Sequence, residues 1–413
     1  SVLKYLFWYT IVFAAAAAGV FVWFLIAGKS LCWTLDASSQ YVPKAVYFIG
    51  WVKEIVKGLL QGQFRFQMYV CSIGMGDSVP LHFEPLYWLF LLFHQRNIEF
   101  AYGFLIILRF YLSGLSISLF FLYFGLNTWQ SLTGSMVYVF SGYGLYAGMR
   151  HSHFIIPMIM LPVLLLGMEE IYRKKRWYIC TVTVAVSILC GYYFTYMNTI
   201  IMGVYFLIRF FGGKEEKRVR AFIFRMRTII CSYLLGLAIG NITFFNTFAG
   251  YLTSSRTGAA QQERVSMLHY NSGWIAAFFQ DFLTTSDSPG FWLWLGFIPL
   301  SYVCVILLFM RKGRNQLKAA FITGTVFAML PALGYVLSGF GWLTTRWCYA
   351  YAFVVALITA VMSEELHSLT KREGIVTGVL CLPYLWFGLG ARLLGRSYNK
   401  AVLAAGLLLV CTV

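Results

Sequence analysis

FWYTIVFAAAAAGVFVWFLIA at residues 7–27, followed at once by GKSLCWTLDASSQY at 28–41, decides the fold class. The first stretch carries no charge and has the roughly 20-residue length with which a helix crosses the hydrocarbon core of a bilayer. It is too long for the apolar core of a cleavable signal, and no small-residue cleavage site follows before Lys29. It reads as a first membrane span. The polar stretch behind it reads as the start of a loop on the far side.

The same pattern recurs along all 413 residues, of which 60% are hydrophobic and 11% charged. The mean hydropathy is +0.72. A soluble domain is nearer 45–50% apolar and about 25% charged, so a soluble enzyme and a disordered chain are both excluded. Spans or near-spans are predicted at about 7–27, 102–125, 129–148, 154–172, 177–197, 199–211, 228–249, 291–311, 319–338, 347–363, 375–391 and 400–413. The fold class expected is an all-α polytopic membrane protein, a single bundle of about 11–13 transmembrane helices over 1–413. The last stretch reaches Val413 without a polar cap, which predicts that a C-terminal region is missing.

The net charge of +17 is a topology signal, not the footprint of a nucleic-acid site. More than half of the 32 Lys and Arg residues fall at Lys4 and in the short segments 173–176, 209–227, 311–318 and 371–372. Alternating spans put these on one side, which the positive-inside rule makes cytoplasmic. The other side then carries two long extracytoplasmic loops, about 28–101 and 250–290. EPLYWLFLLFH at 84–94 is too short to span and reads as an interfacial or re-entrant helix, which also satisfies the parity of crossings. Residues 40–61 repeat apolar positions at helical spacing, with Lys53, Glu54 and Lys57 on another face. They predict an amphipathic helix in the outer interface. The nine cysteines contain no CxxC pair and predict neither a zinc site nor a disulfide framework.

With only 15 carboxylates, each can be weighed. Those near the basic segments read as solvated charges. Asp36 is different: it lies just past the first span, where a carboxylate beside an apolar wall can act as a base toward a hydroxyl. A helix cap or a solvated loop acid is the plain alternative. Asp77 lies in GMGDSVP, whose glycines would let a ligand approach the backbone, and a simple turn reads equally well. Glu84 precedes Pro85 and is a candidate ligand or a cap. Arg150, His151 and His153 in MRHSHF suit a phosphate through charge-assisted hydrogen bonds. HxH could also hold a divalent metal, but without a fixed carboxylate partner that signal is weak. Arg346 begins a span in LTTRWCY. Arg109, inside an apolar run, is either functional or paired within the bundle. The predicted topology gathers Asp36, Asp77, Arg150, His151, His153 and Arg346 on one membrane face. An acid opposite a basic cluster there suits chemistry on a polyprenyl phosphate.

Several pieces, in order, carry a resemblance: DASSQY at 36–41, GMGDSVP at 74–80, YVFSGY at 138–143, RHSHF at 150–154, LPVLLLGMEE at 161–170 and TRWCYAYAF at 345–353. Together they resemble the bacterial YfhO family of membrane proteins, within the GT-C class of glycosyltransferases. The resemblance implies a GT-C-like bundle with amphipathic juxtamembrane helices in the first extracytoplasmic loop and Asp36 as the catalytic carboxylate. Its implied partners are a polyprenyl-phosphate-linked sugar donor and a cell-envelope polymer or glycolipid acceptor, such as a teichoic or lipoteichoic acid. Transfer would proceed with inversion, at the extracytoplasmic face of a bacterial cell membrane. Arg150, His151, His153, Arg346, Asp77 and Glu84 would bind the lipid phosphate or the sugar. The competing reading is a transporter or flippase of a lipid-linked envelope precursor, which would show broken helices near the bilayer midplane.

Overall fold

The computed structural model describes residues 2–63, 84–173, 176–213, 218–253, 267–270, 272–283, 293–340 and 343–393. Asp77 with its GMGDSVP motif, the span expected at 400–413 and most of the 250–290 loop lie outside them. The described residues form helices and turns and no strand. Six helices are long and apolar enough to cross a membrane, or seven if one bent pair counts as a span; two further apolar helices, 178–190 and 299–310, are shorter. The chain is an all-α polytopic membrane protein.

Helix α1, Val2–Ile26, buries Tyr5, Tyr9, Phe13, Ala17 and Phe21. That spacing of four puts one stripe against the bundle and leaves the rest for lipid. Tyr5 Oη donates to Ser118 Oγ at 2.6 Å and Tyr9 Oη to the Tyr111 carbonyl at 2.8 Å, which pins α1 to α3, Ile98–Tyr123. Between them, α2 (Val42–Leu60) is amphipathic as expected. It buries Ala45, Phe48, Ile49 and Trp51 and leaves Lys53, Glu54 and Lys57 exposed. The 84–94 stretch forms a 3-10 helix, Pro85–Leu92, docked on α2 through Phe48 against Tyr87 and Trp88. Neither segment passes as a span.

Three boundaries differ from the sequence reading. The stretch 129–148 is not one helix: α4 runs Thr128–Val139, and a separate π turn follows at Tyr143–Gly148. At the break, the Gly142 N–H donates to the carbonyls of Leu295 and Gly296, at 2.8 and 2.9 Å. The backbone donor freed by the break therefore has a tertiary partner, as a buried amide requires. After α5, Ile156–Tyr172, the chain turns at Gly191 and not at residue 198. Gly191 takes φ 150°, open to glycine, and divides α6 (Tyr178–Cys190) from α7 (Tyr192–Phe211). The stretch 319–338 is two helices, α11 (Asn315–Met329) and α12 (Pro331–Leu337), bent by 96°. Leu330 is extended and Pro331 starts the second piece, so the first helix cannot continue through it.

Helix α8, Arg218–Thr253, packs along α6. A Cβ on Gly236 would stand 2.6 Å from the Thr181 carbonyl, and one on Gly240 2.9 Å from that of Ala185. The pair four apart lets two backbones meet, the small-residue contact usual between membrane helices. Helices α9 (Ser272–Asp281), α10 (Pro299–Met310), α11 (Asn315–Met329), α12 (Pro331–Leu337), α13 (Cys348–Met362) and α14 (Lys371–Leu393) complete the described chain. The central α13 packs against α4, α5, α10 and α11.

One end of the bundle collects the basic segments. Arg209 donates to the fully buried Glu169 at 2.8 Å. Arg311 binds Glu365 at 2.6 Å and Glu373 at 3.0 Å, and Arg314 pairs with Glu365. Asn127 bonds Glu364. Helices α5 and α13 both run from this end to the opposite one, where the candidate site lies.

Candidate functional site

Asp36 stands at the head of a single π turn, Ala37–Tyr41, closed by the Val42 N–H on the Ala37 carbonyl. Within this turn Gln40 Nε2 donates to Asp36 Oδ1 at 3.1 Å. Across the gap lies the turn that joins α4 to α5. There His151 Nδ1 is 3.6 Å from Asp36 Oδ2 and shares a 2.7 Å hydrogen bond with Tyr41 Oη. The imidazole is enclosed by aromatic rings. Trp33 meets it edge-on at 5.3 Å and Phe154 stacks on it at 4.7 Å.

Two arginines flank this pair. The Arg150 guanidinium lies 3.5 Å from the Tyr146 ring centroid and 5.5 Å from that of Trp33. Arg346, in the turn ahead of α13, lies 5.2 Å from the Phe154 ring and 5.6 Å from that of Tyr193. Cation–π contacts help to orient both guanidinium groups. His153 completes the group, its ring 6.0 Å from that of His151 and 5.3 Å from that of Tyr41. Asp36, Arg150, His151, His153 and Arg346, spread over most of the chain, thus converge at one end of the bundle.

The electrostatics divide the histidine from the arginines. Burial pushes the His151 pKa down to about 4; Arg346 and Arg150 act in the same direction, and Asp36 opposes them. His151 is therefore neutral at pH 7, and positive charge in the cluster comes from the guanidinium groups. Burial and the Asp36 carboxylate push the Tyr41 phenol up, so it keeps its proton.

Glu84 is placed differently from the rest. Its Oε1 accepts from Arg109 Nε at 3.0 Å and Nη2 at 2.5 Å, and the two side chains are only 6% and 3% exposed. Arg109 takes the paired course of its two sequence readings, and Glu84 faces a guanidinium within the bundle and not the open cluster. Asp77 is outside the described residues. Tyr41, Gln40, Trp33, Phe154 and Tyr193 were not singled out by sequence. For Gln40 a signal existed, because the residue four beyond Asp36 shares its side of a helical turn.

A cavity of about 770 Å³ opens along the 28–38 segment, walled by Lys29, Trp33, Ser38, Glu99, Tyr146 and Arg150 among others. Ser30 Oγ donates to the Glu99 carboxylate on this wall. A smaller apolar cavity of about 110 Å³ lies between α5, α7, α11 and α13, with Trp347, next to Arg346, on its wall. Among the described residues no group of three His, Cys, Asp or Glu side chains is arranged to hold a metal ion.

No solved structure matches the chain. A curated relative from Bacillus subtilis (strain 168), described as "Uncharacterized protein YfhO", is 26% identical over 263 residues. The match covers 62% of this chain but 28% of that relative, so the chain spans well under half the length of the protein it matches. The family profile "Bacterial membrane protein YfhO" matches residues 10–413. A match of that extent, over an all-helical bundle with several membrane-crossing helices, makes the chain a member of the bacterial YfhO family of membrane proteins.

Proposed function

We propose that this protein is a GT-C-type glycosyltransferase of the bacterial cell membrane. It moves a sugar, with inversion, from a polyprenyl phosphate to a cell-envelope acceptor such as a teichoic or lipoteichoic acid. One observation carries the reading: a carboxylate and two arginines from distant parts of the chain meet at the bundle end opposite the basic clamp. The basic clamp marks the cytoplasmic side by the positive-inside rule, so the cluster is extracytoplasmic.

In this reading the acceptor hydroxyl attacks the anomeric carbon while the bond from that carbon to the phosphate oxygen breaks. The phosphate leaves with the electron pair, and the hydroxyl proton passes to Asp36 Oδ2. A general base contributes about 10²–10⁴-fold to such a step. The leaving group is an anion and needs charge stabilisation more than protonation. Arg346 supplies it, and Arg150, His151 and His153 complete the polar mouth. The apolar cavity beside Trp347 suits the first units of an isoprenoid tail, and the larger cavity, with Lys29, Ser38, Glu99 and Arg150 on its wall, suits a hydroxyl-rich acceptor.

The transporter reading has one observation of its own, the 96° break between α11 and α12. The two readings part in a transfer assay with the full-length protein in lipid nanodiscs, a defined polyprenyl-phosphate sugar and extracted envelope polymer. A transferase gives a polymer-linked sugar of inverted anomeric configuration. A transporter moves the lipid between leaflets and forms no such product.

A further inference from the structure

The hydrogen bonds around His151 contain an asymmetry that the reaction alone does not demand. Its Nδ1 has two oxygens within reach, and it is bonded to the neutral one. Tyr41 Oη is at 2.7 Å, and Asp36 Oδ2 is at 3.6 Å, beyond hydrogen-bond distance. Asp36 Oδ1 is occupied by Gln40, while Oδ2 accepts no hydrogen bond among the described residues. Backbone geometry creates this arrangement. The π turn at Ala37–Tyr41 carries one more residue than an α turn and swings Tyr41 around to the His151 side. Such single π turns are rare and occur frequently at functional sites.

The geometry points to Tyr41 as a positioning residue: by holding His151 Nδ1, it keeps the imidazole off Asp36 and leaves Oδ2 open to the acceptor hydroxyl. This rests on the reading of Asp36 as the base. Without the phenol, the imidazole is free to close the gap onto Oδ2. Asp36 would then gain a hydrogen-bond donor that stabilises its charged form and weakens it as a base. His151 would gain a partner that favours its protonation. The charged and titratable groups facing His151 come from three places. Asp36 and Tyr41 belong to the first loop, Arg150 and His153 to its own turn, and Arg346 to the turn before α13. The arginines disfavour a proton on the ring and only Asp36 favours it, so the distance between Asp36 and His151 sets the balance.

Tyr41→Phe keeps the ring, with its contacts to His151, His153 and Tyr102, and deletes only the hydroxyl. In the full protein, kcat for sugar transfer should fall about tenfold with the donor KM unchanged, and the acid limb of the pH–rate profile, which reports ionisation of Asp36, should move down by about one unit. The His151 ring, followed by NMR of histidine-labelled protein without substrates, should titrate near pH 4 in the wild type and clearly higher in Tyr41→Phe. Adding His151→Gln to Tyr41→Phe should return the acid limb to that of His151→Gln alone. A merely structural tyrosine would lower stability and move neither the limb nor the titration, and that result overturns the inference. So does a wild-type His151 that titrates near 6.5, which needs no variant at all. Because the NMR titration requires no turnover, an absence of transfer would sink the transferase reading while leaving the Tyr41–His151 arrangement independently tested.

Discussion

Replacing Glu84 by leucine should destabilise the bundle far more than replacing Arg109 by methionine. Both side chains are almost fully enclosed and are joined by two hydrogen bonds through one carboxylate oxygen. Removing one partner of a buried ion pair typically costs about 3–5 kcal/mol, because the other charge is left without compensation. The two ends of this pair are not equivalent. A stranded carboxyl can take up a proton and become neutral, whereas a guanidinium cannot lose one. Glu84→Leu should therefore sit at the upper end of that range, and Arg109→Met nearer 1–3 kcal/mol, the usual cost of an unpaired polar group. The double variant, with both charges gone, should be clearly more stable than Glu84→Leu alone, so that the two single effects do not add. Reversible unfolding in mixed micelles, titrated with a denaturing detergent, measures all four corners of the cycle. Additive single effects, or a Glu84→Leu protein as stable as the wild type, would refute the reasoning and remove the pair from the core.

His151 should make stability fall with acid. Its pKa is lowered on folding from 6.5 to about 4, so the stability it contributes is complete above pH 6.5 and is lost as the pH falls through about 4. Thermal melts of wild type and His151→Gln should run parallel above pH 6.5 and converge below it; parallel curves throughout would contradict this. Gly236→Leu should lower the melting temperature, at a cost of about 1–3 kcal/mol, because its side chain meets the Thr181 carbonyl and Val184; an unchanged melt would mean that α6 and α8 do not touch there. An introduced thiol at Ser39 should react with an impermeant reagent from outside intact cells and one at Lys312 should not, and the reverse pattern would invert the proposed orientation.

Much of the architecture is legible from composition and period. The uncharged run at 7–27 fixed α1, and the charged face of 40–61 marked α2 as amphipathic. The basic segments gathered at one end because each sits at the end of a helix that starts or finishes there. What the sequence hides are breaks within apolar runs. Hydropathy is insensitive to the tertiary hydrogen bonds that stabilise an interrupted helix, so the stop at Phe140 and its partners at Leu295 and Gly296 were invisible. Convergence of Asp36 with His151, Arg150 and Arg346 followed from placing the loops on one side. Its internal geometry did not follow, because Tyr41 reaches His151 only through a π turn that no residue pattern announces. The partner of Glu84 was hidden for a similar reason: that it neutralises Arg109 depends on how its 3-10 helix docks on α3.

The most direct test compares wild type with Asp36→Asn, both purified as full-length protein in nanodiscs, for sugar transfer and for donor-lipid binding. Asparagine keeps the size and the hydrogen bond from Gln40 but cannot take the proton. The account predicts transfer reduced by at least about 10²-fold with donor binding essentially unchanged. Transfer by Asp36→Asn at the wild-type rate would contradict it.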